Sequence, residues 1–126
     1  LFFKVPGMKH AGEQSKEVVS LLDIYPTLVD LCNLPDDPKL EGNSLVPLIK
    51  KPKTNWDKPV LSSWYYKNHS VRSNDFRYIQ YRDGSEELYH NKIDPYEWGN
   101  LAEENKFSAK KEELESEMLE IINTHK

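Results

Sequence analysis

The side chains best equipped to hold a ligand lie close together between Trp64 and Arg72. Trp64, Tyr65, Lys67, Asn68, His69 and Arg72 bring aromatic faces, hydrogen-bond donors and positive charge to one chain reversal and its flanks. That combination suits an anionic sugar: rings stack on the pyranose while Lys, Arg and His meet its charge. The competing reading is structural, because aromatics on a small sheet form core and Lys-Asn is ordinary turn chemistry. Other sets of reactive residues are poorer. The four histidines, His10, His69, His90 and His125, never fall four residues apart with a glutamate between them, so the chain alone is not expected to build a helical zinc site. Cys32 is the single cysteine, which excludes an intrachain disulfide, a zinc ribbon and a redox pair, and its apolar neighbours predict a buried thiol. The paired acids Asp36-Asp37 and Glu86-Glu87 are expected to be solvated. There is no glycine-rich phosphate loop and no nucleophile elbow.

The elements that must position these residues follow from the patterning. In a chain of 126 residues, 37% hydrophobic with a formal net charge of −4, there is material for a modest core and no general affinity for nucleic acid. No apolar run approaches the roughly 20 residues needed to span a bilayer, and Leu1-Phe-Phe-Lys-Val-Pro-Gly7 lacks the basic and cleavage regions of a signal peptide. Leu1 to Val5 reads as a short buried strand ended by Pro6-Gly7, and the opening directly on an apolar run suggests a fragment. Asp23 is placed to cap a helix with apolar positions Ile24, Leu28, Leu31 and Cys32, Pro26 in its first turn, and Asn33 and Pro35 ending it. Residues 36–58 are Pro-rich and read as a linker, with Ser44 capping a turn of helix around Leu45 to Ile49. From Pro59 the period becomes two: Val60 to Tyr66, a tip at Lys67-Asn68, His69 to Ser73, Phe76 to Arg82, a turn at Asp83-Gly84, and Glu86 to His90. This predicts about four antiparallel strands. Between Phe107 and Thr124, Phe107, Leu114, Met118, Ile121 and Ile122 form one stripe of a helix that would cover the sheet. The fold class is α+β, with residues 1–35, 36–58 and 59–126 as the successive parts.

Several phrases in order resemble one family. Val5-Pro6-Gly7, Ser20-Leu-Leu-Asp-Ile-Tyr-Pro-Thr-Leu-Val-Asp-Leu31, Leu40-Glu-Gly-Asn-Ser-Leu45, Asn68-His-Ser-Val-Arg72, Phe76-Arg-Tyr-Ile-Gln-Tyr81, Asp83-Gly-Ser-Glu-Glu-Leu-Tyr89 and Asp94-Pro-Tyr-Glu-Trp-Gly-Asn-Leu101 are similar to the C-terminal part of type I sulfatases of the iduronate-2-sulfatase and choline-sulfatase type, within the alkaline-phosphatase superfamily. The resemblance implies that residues 1–35 supply a strand and helix completing the large α/β catalytic domain. The small terminal domain would then lean over the substrate pocket. It also implies a formylglycine nucleophile, made from a Cys/Ser-x-Pro-x-Arg motif, and a calcium ion in the complete enzyme. Neither is expected on this chain, because the motif does not occur and Cys32 has the wrong followers. No catalytic or metal residue is therefore carried over. His69, with Lys67 and Arg72, is expected to bind substrate, a sulfated sugar or glycosaminoglycan; Arg72 has the alternative role of holding the sheet to the larger domain. The family also implies a periplasmic, extracellular or lysosomal setting.

Three functions follow from this reading: the C-terminal portion of a sulfatase, inactive without its N-terminal catalytic domain; the same part of a phosphate or phosphonate ester hydrolase; or a free-standing carbohydrate-binding or interaction module. The residues preceding Leu1 would separate the first two. A formylglycine motif marks the sulfatase, whereas a bare Thr or Ser nucleophile marks phosphoryl transfer.

Overall fold

The alternating stretch from Val60 to His90 folds as a meander because its period-two residues find partners on consecutive strands. In the computed structural model, which describes residues 1–124, β1 (Val60–Ser63), β2 (His69–Arg72), β3 (Phe76–Gln80) and β4 (Glu86–His90) form one antiparallel sheet in chain order. The register sets Leu61 against Val71, Val71 against Tyr78, and Tyr78 against Leu88. Directly opposed residues share a face, so these four make one apolar rung. The rung is covered by the helix formed by Ser108–Thr124, whose Leu114 and Met118 are fully buried with Val71, Tyr78 and Leu88. Phe107, Ile121 and Ile122 pack against that core, as the stripe predicts. His125 lies outside the described residues.

The chain divides into two units, Leu1–Trp56 and the remainder from Asp57. The first unit is held by a buried polar clamp. Ser20 caps a 3-10 turn, Leu21–Asp23, which runs directly into helix α1 (Ile24–Leu31). Asp23 is therefore not the helix cap that its position suggests. It lies inside the turn, where its carboxylate accepts the Ser20 N–H at 2.7 Å and, from across the unit, the Asn43 N–H at 2.7 Å. One helical turn later the Thr27 hydroxyl donates to the Asp23 carbonyl at 2.5 Å and accepts the Leu45 N–H at 2.8 Å. The two phrases around Ser20–Leu31 and Leu40–Leu45 are thus zipped together through main-chain donors. Gly42 permits the approach. It has φ +93°, and a Cβ there would stand 2.6 Å from the Leu22 carbonyl oxygen.

Asn33 ends α1 in the left-handed region at φ 51°, with Leu34 N–H on the Val29 carbonyl at 3.0 Å and Asn33 N–H on Asp30 at 3.2 Å. This is the Schellman arrangement. A short helix α2 (Val46–Lys50) follows, with the Ser44 hydroxyl accepting the Val46 N–H; the Ser108–Thr124 helix is accordingly α3.

The first unit departs from the sequence reading at several points. Leu45, Leu48 and Trp56 are buried together against Phe3 and Val19, so residues read as a linker contribute core and the division falls after Trp56. Leu1 to Val5 forms no strand, since among the described residues no neighbouring strand offers it a ladder. Cys32 is exposed rather than buried. The reason is rotational: the Asp23 and Thr27 bonds choose the inward side of α1, which leaves Leu21, Tyr25, Leu28 and Cys32, spaced at helical intervals, on the outer side.

Candidate functional site

β1 stops at Ser63, earlier than its aromatic run suggests, and the connection to β2 is a five-residue loop, 64–68, closed by the Trp64 N–H on the Asn68 carbonyl at 3.0 Å. Tyr65 and Lys67 both take positive φ, 54° and 61°, a conformation that side chains with a Cβ adopt at a cost. The result is that Trp64, Tyr65 and Tyr66 project outward, 71%, 81% and 66% exposed. Trp64 meets Tyr65 edge to face at 4.8 Å. Lys67 Nζ lies over the Tyr66 ring at 5.3 Å from its centroid, and the Arg82 guanidinium lies over the same ring at 5.7 Å. Asn68 ties the two connections together, its Oδ1 accepting the Arg82 N–H at 3.1 Å. A shallow open depression of about 380 Å³, lined by Asn68, Tyr81, Arg82 and Asp83, adjoins it.

His69 begins β2 on the face that α3 covers. It shares a rung with Ser63 and Gln80, and Gln80 in turn opposes Glu86. Its Nδ1 is 2.8 Å from the Ser63 hydroxyl, which fixes the ring and leaves Nε2 with no hydrogen-bond partner among the described residues. The rung beside it is a polar seam between sheet and helix. Tyr78 donates to Glu86, Lys111 pairs with Glu86 at 2.7 Å, and Gln80 donates to Glu115 at 3.2 Å. The Lys111 hydrogen bond, with that of Tyr78, holds the Glu86 carboxyl below its ordinary value, while burial and the adjacent Glu86 push the Tyr78 phenol well above its own.

Arg72 is not in this group. Opposed to Val60 and Arg77, it belongs to the other face of the sheet, so the structure brings Lys67 and His69 to the loop and separates Arg72 from them. Arg82 and Tyr66, which the sequence reading passed over as ligand-binding groups, take its place. Arg82 reaches the loop from the turn after β3, where Asn68 holds its backbone N–H, and hydrophobic patterning does not announce that tie.

The turn at Asp94–Asn100 is the second place where aromatics emerge. Tyr96 and Trp98 stack at 5.6 Å with 26° between their planes, and Trp98 is 87% exposed. Here every neighbouring polar side chain points back into the protein. Glu97 pairs with Arg77 and accepts from Asn91 at 2.6 Å, and Asp94 accepts the Gly99 N–H at 2.9 Å. Asn100 accepts the N–H groups of Leu88 and Ala102, both at 3.0 Å, and donates to the Glu86 carbonyl at 3.1 Å. The phrase Asp94–Leu101 is thus a structural clasp on the outer edge of β4.

The cofactors implied by the resemblance do not fit these residues. Among the described residues no three His, Cys, Asp or Glu side chains come together as metal ligands, and Cys32 lacks the proline and arginine spacing that formylglycine formation needs.

A four-stranded antiparallel meander roofed by one helix, after a helical unit, is the architecture of the terminal part of sulfatases. Over 82% of this chain it matches the structure of a 2-O GAG sulfatase with a TM-score of 0.70 and 31% identity, covering 24% of that chain. The family model for the C-terminal part of N-sulphoglucosamine sulphohydrolase matches residues 1–124, and the chain belongs to that family. It is 39% identical over 116 residues to a sulfatase of Formosa agariphila, covering 92% of this chain and 23% of the relative. It is 35% identical over 133 residues to human arylsulfatase K, covering 94% and 24% respectively. The chain thus spans about a quarter of the length of the relatives it matches.

Proposed function

We propose that this chain is the C-terminal quarter of a hydrolase of sulfate monoesters, acting on sulfated sugars of the glycosaminoglycan kind. Its partner would be an N-terminal catalytic domain holding the formylglycine and calcium. The observation that carries the reading is the family match along residues 1–124. The outer stripe of α1, with Leu21, Tyr25 and Leu28 exposed, supports it, since a helix that presents apolar residues on that side is suited to completing a larger α/β domain. On this reading the 64–68 loop overhangs the substrate. His69 offers Nε2 as a donor or acceptor and Lys67 offers charge, while Arg72, on the opposite face, holds the sheet to the larger domain.

The test is sulfate release by the full-length protein. It should desulfate a sulfated disaccharide, whereas the 126 residues alone should give no turnover above background. His69→Ala in the full-length enzyme should lower kcat/KM for the sugar sulfate by more than for a small aryl sulfate. Equal losses on both would remove His69 from substrate selection.

A further inference from the structure

Among the described residues, Lys67 and Arg82 both stand over the Tyr66 ring, and neither is paired with a carboxylate. Neither forms an ion pair, although other cations among the described residues do, the exposed Lys106 with Glu104 included. The nearest acid in sequence, Asp83, is already engaged: its Oδ1 accepts both the N–H and the hydroxyl of Ser85, at 2.9 Å and 2.6 Å. Like charges brought to one place repel. This pair nevertheless converges on the single ring of Tyr66, and the loop that delivers Lys67 does so through two unfavourable positive φ angles. Asn68 adds a fixed tether from the loop to the Arg82 backbone. Two positive φ angles and two cations without a counter-charge, set against ring contacts and one tether, point to a group supplied from outside.

We propose that Lys67, Tyr66 and Arg82 form an accessory anion site that selects substrates carrying a second anionic group, a sulfate or a carboxylate, beside the ester that is cleaved. This rests on the sulfatase reading above. An anion between the two cations would relieve their repulsion and take charge-assisted hydrogen bonds from both, with the guanidinium supplying a planar fork and the ammonium a point charge. The ring beneath gives a sugar a face to lie against. The site acts on binding and selectivity and takes no part in bond cleavage.

The experiment uses the full-length enzyme with four substrates: a small aryl sulfate, a disaccharide with one sulfate and no other charge, its disulfated counterpart, and a monosulfated uronate-containing disaccharide. Lys67→Ala and Arg82→Ala should each lower kcat/KM on the doubly anionic substrates by roughly tenfold, through KM, the order expected for one charge-assisted hydrogen bond. Arg82→Ala, which alters no residue assigned to the ester being cleaved, should leave the aryl sulfate and the singly charged disaccharide within about twofold of wild type. A loss confined to the disulfated substrate assigns the site to sulfate, and a loss confined to the uronate assigns it to carboxylate. Arg82→Glu should deepen the effect. Melting temperatures of the alanine variants should equal or exceed that of wild type, because one of two opposed cations is gone. Equal losses on all four substrates, no loss on any, or a lowered melting temperature would each overturn the proposal. A wild-type enzyme that releases no sulfate from any of the four would instead sink the sulfatase reading beneath it.

Discussion

Two turns of the second unit carry exposed aromatic pairs, and they use their polar residues in opposite ways. At Asp94–Asn100 the carboxylates and amides are consumed by the protein's own groups: Glu97 by Arg77 and Asn91, Asp94 by Gly99, Asn100 by β4 and the Ala102 N–H. At the 64–68 loop the cations face outward with only an aromatic ring for company. The first turn is a fastening, with its aromatic pair stacked on the outside. In the second only Asn68 is spent on the fold, and the two cations make no ion pair among the described residues. A phrase that belongs to a family signature can therefore be pure scaffolding, and the ligand-facing residues are better found by asking which charges the protein leaves unanswered.

That contrast can be broken by substitution. The largest effect is expected at Asn100: Asn100→Ala removes three hydrogen bonds at once and should cost about 2–4 kcal/mol in denaturant titration of the full-length protein. Glu97→Gln should cost about 1–2 kcal/mol, because Arg77 is left half-buried without its counter-charge, well short of the penalty for a fully buried pair. Glu86→Gln should cost under about 1 kcal/mol near neutrality, and its signature is the pH profile. The Glu86 carboxyl is held below its ordinary value, so its contribution is present above the carboxyl's unfolded value and is lost as pH falls through the lower folded one. The variant should flatten that part of the acid limb. Lys67→Ala and Arg82→Ala should leave stability unchanged or raise it by no more than about 0.5 kcal/mol. If they cost as much as Asn100→Ala, the two turns do not differ in kind.

The sheet and its roof were legible because their signals are periodic. Tyr78 and Leu88 alternate with polar neighbours, and Leu114 and Met118 recur at helical spacing, so the four-strand meander and α3 stand where the patterning puts them. The loop was harder to read, because positive φ at Tyr65 and Lys67 carries no glycine or asparagine to announce it, and the run of aromatics imitated a longer strand. Arg82 was hidden by distance along the chain: the pairing of β2 with β3 ends at His69 and Gln80, and only beyond it does Arg82 meet the loop, through Asn68 and the Tyr66 ring. In the first unit, prolines around residues 35–59 masked the three apolar residues, Leu45, Leu48 and Trp56, that make its core. The helical stripe through Leu28 and Cys32 was real in spacing and wrong in direction, because hydrogen bonds from Asp23 and Thr27, invisible to a hydrophobicity pattern, decided which side of α1 turned inward.

Gly42 carries a consequence for variation in the gene. Its backbone lies where even a methyl group would collide with the Leu22 carbonyl, so every missense change at that codon is a lesion of assembly. Any side chain there should deplete the folded protein, seen as a lower yield of intact molecules than the glycine form gives.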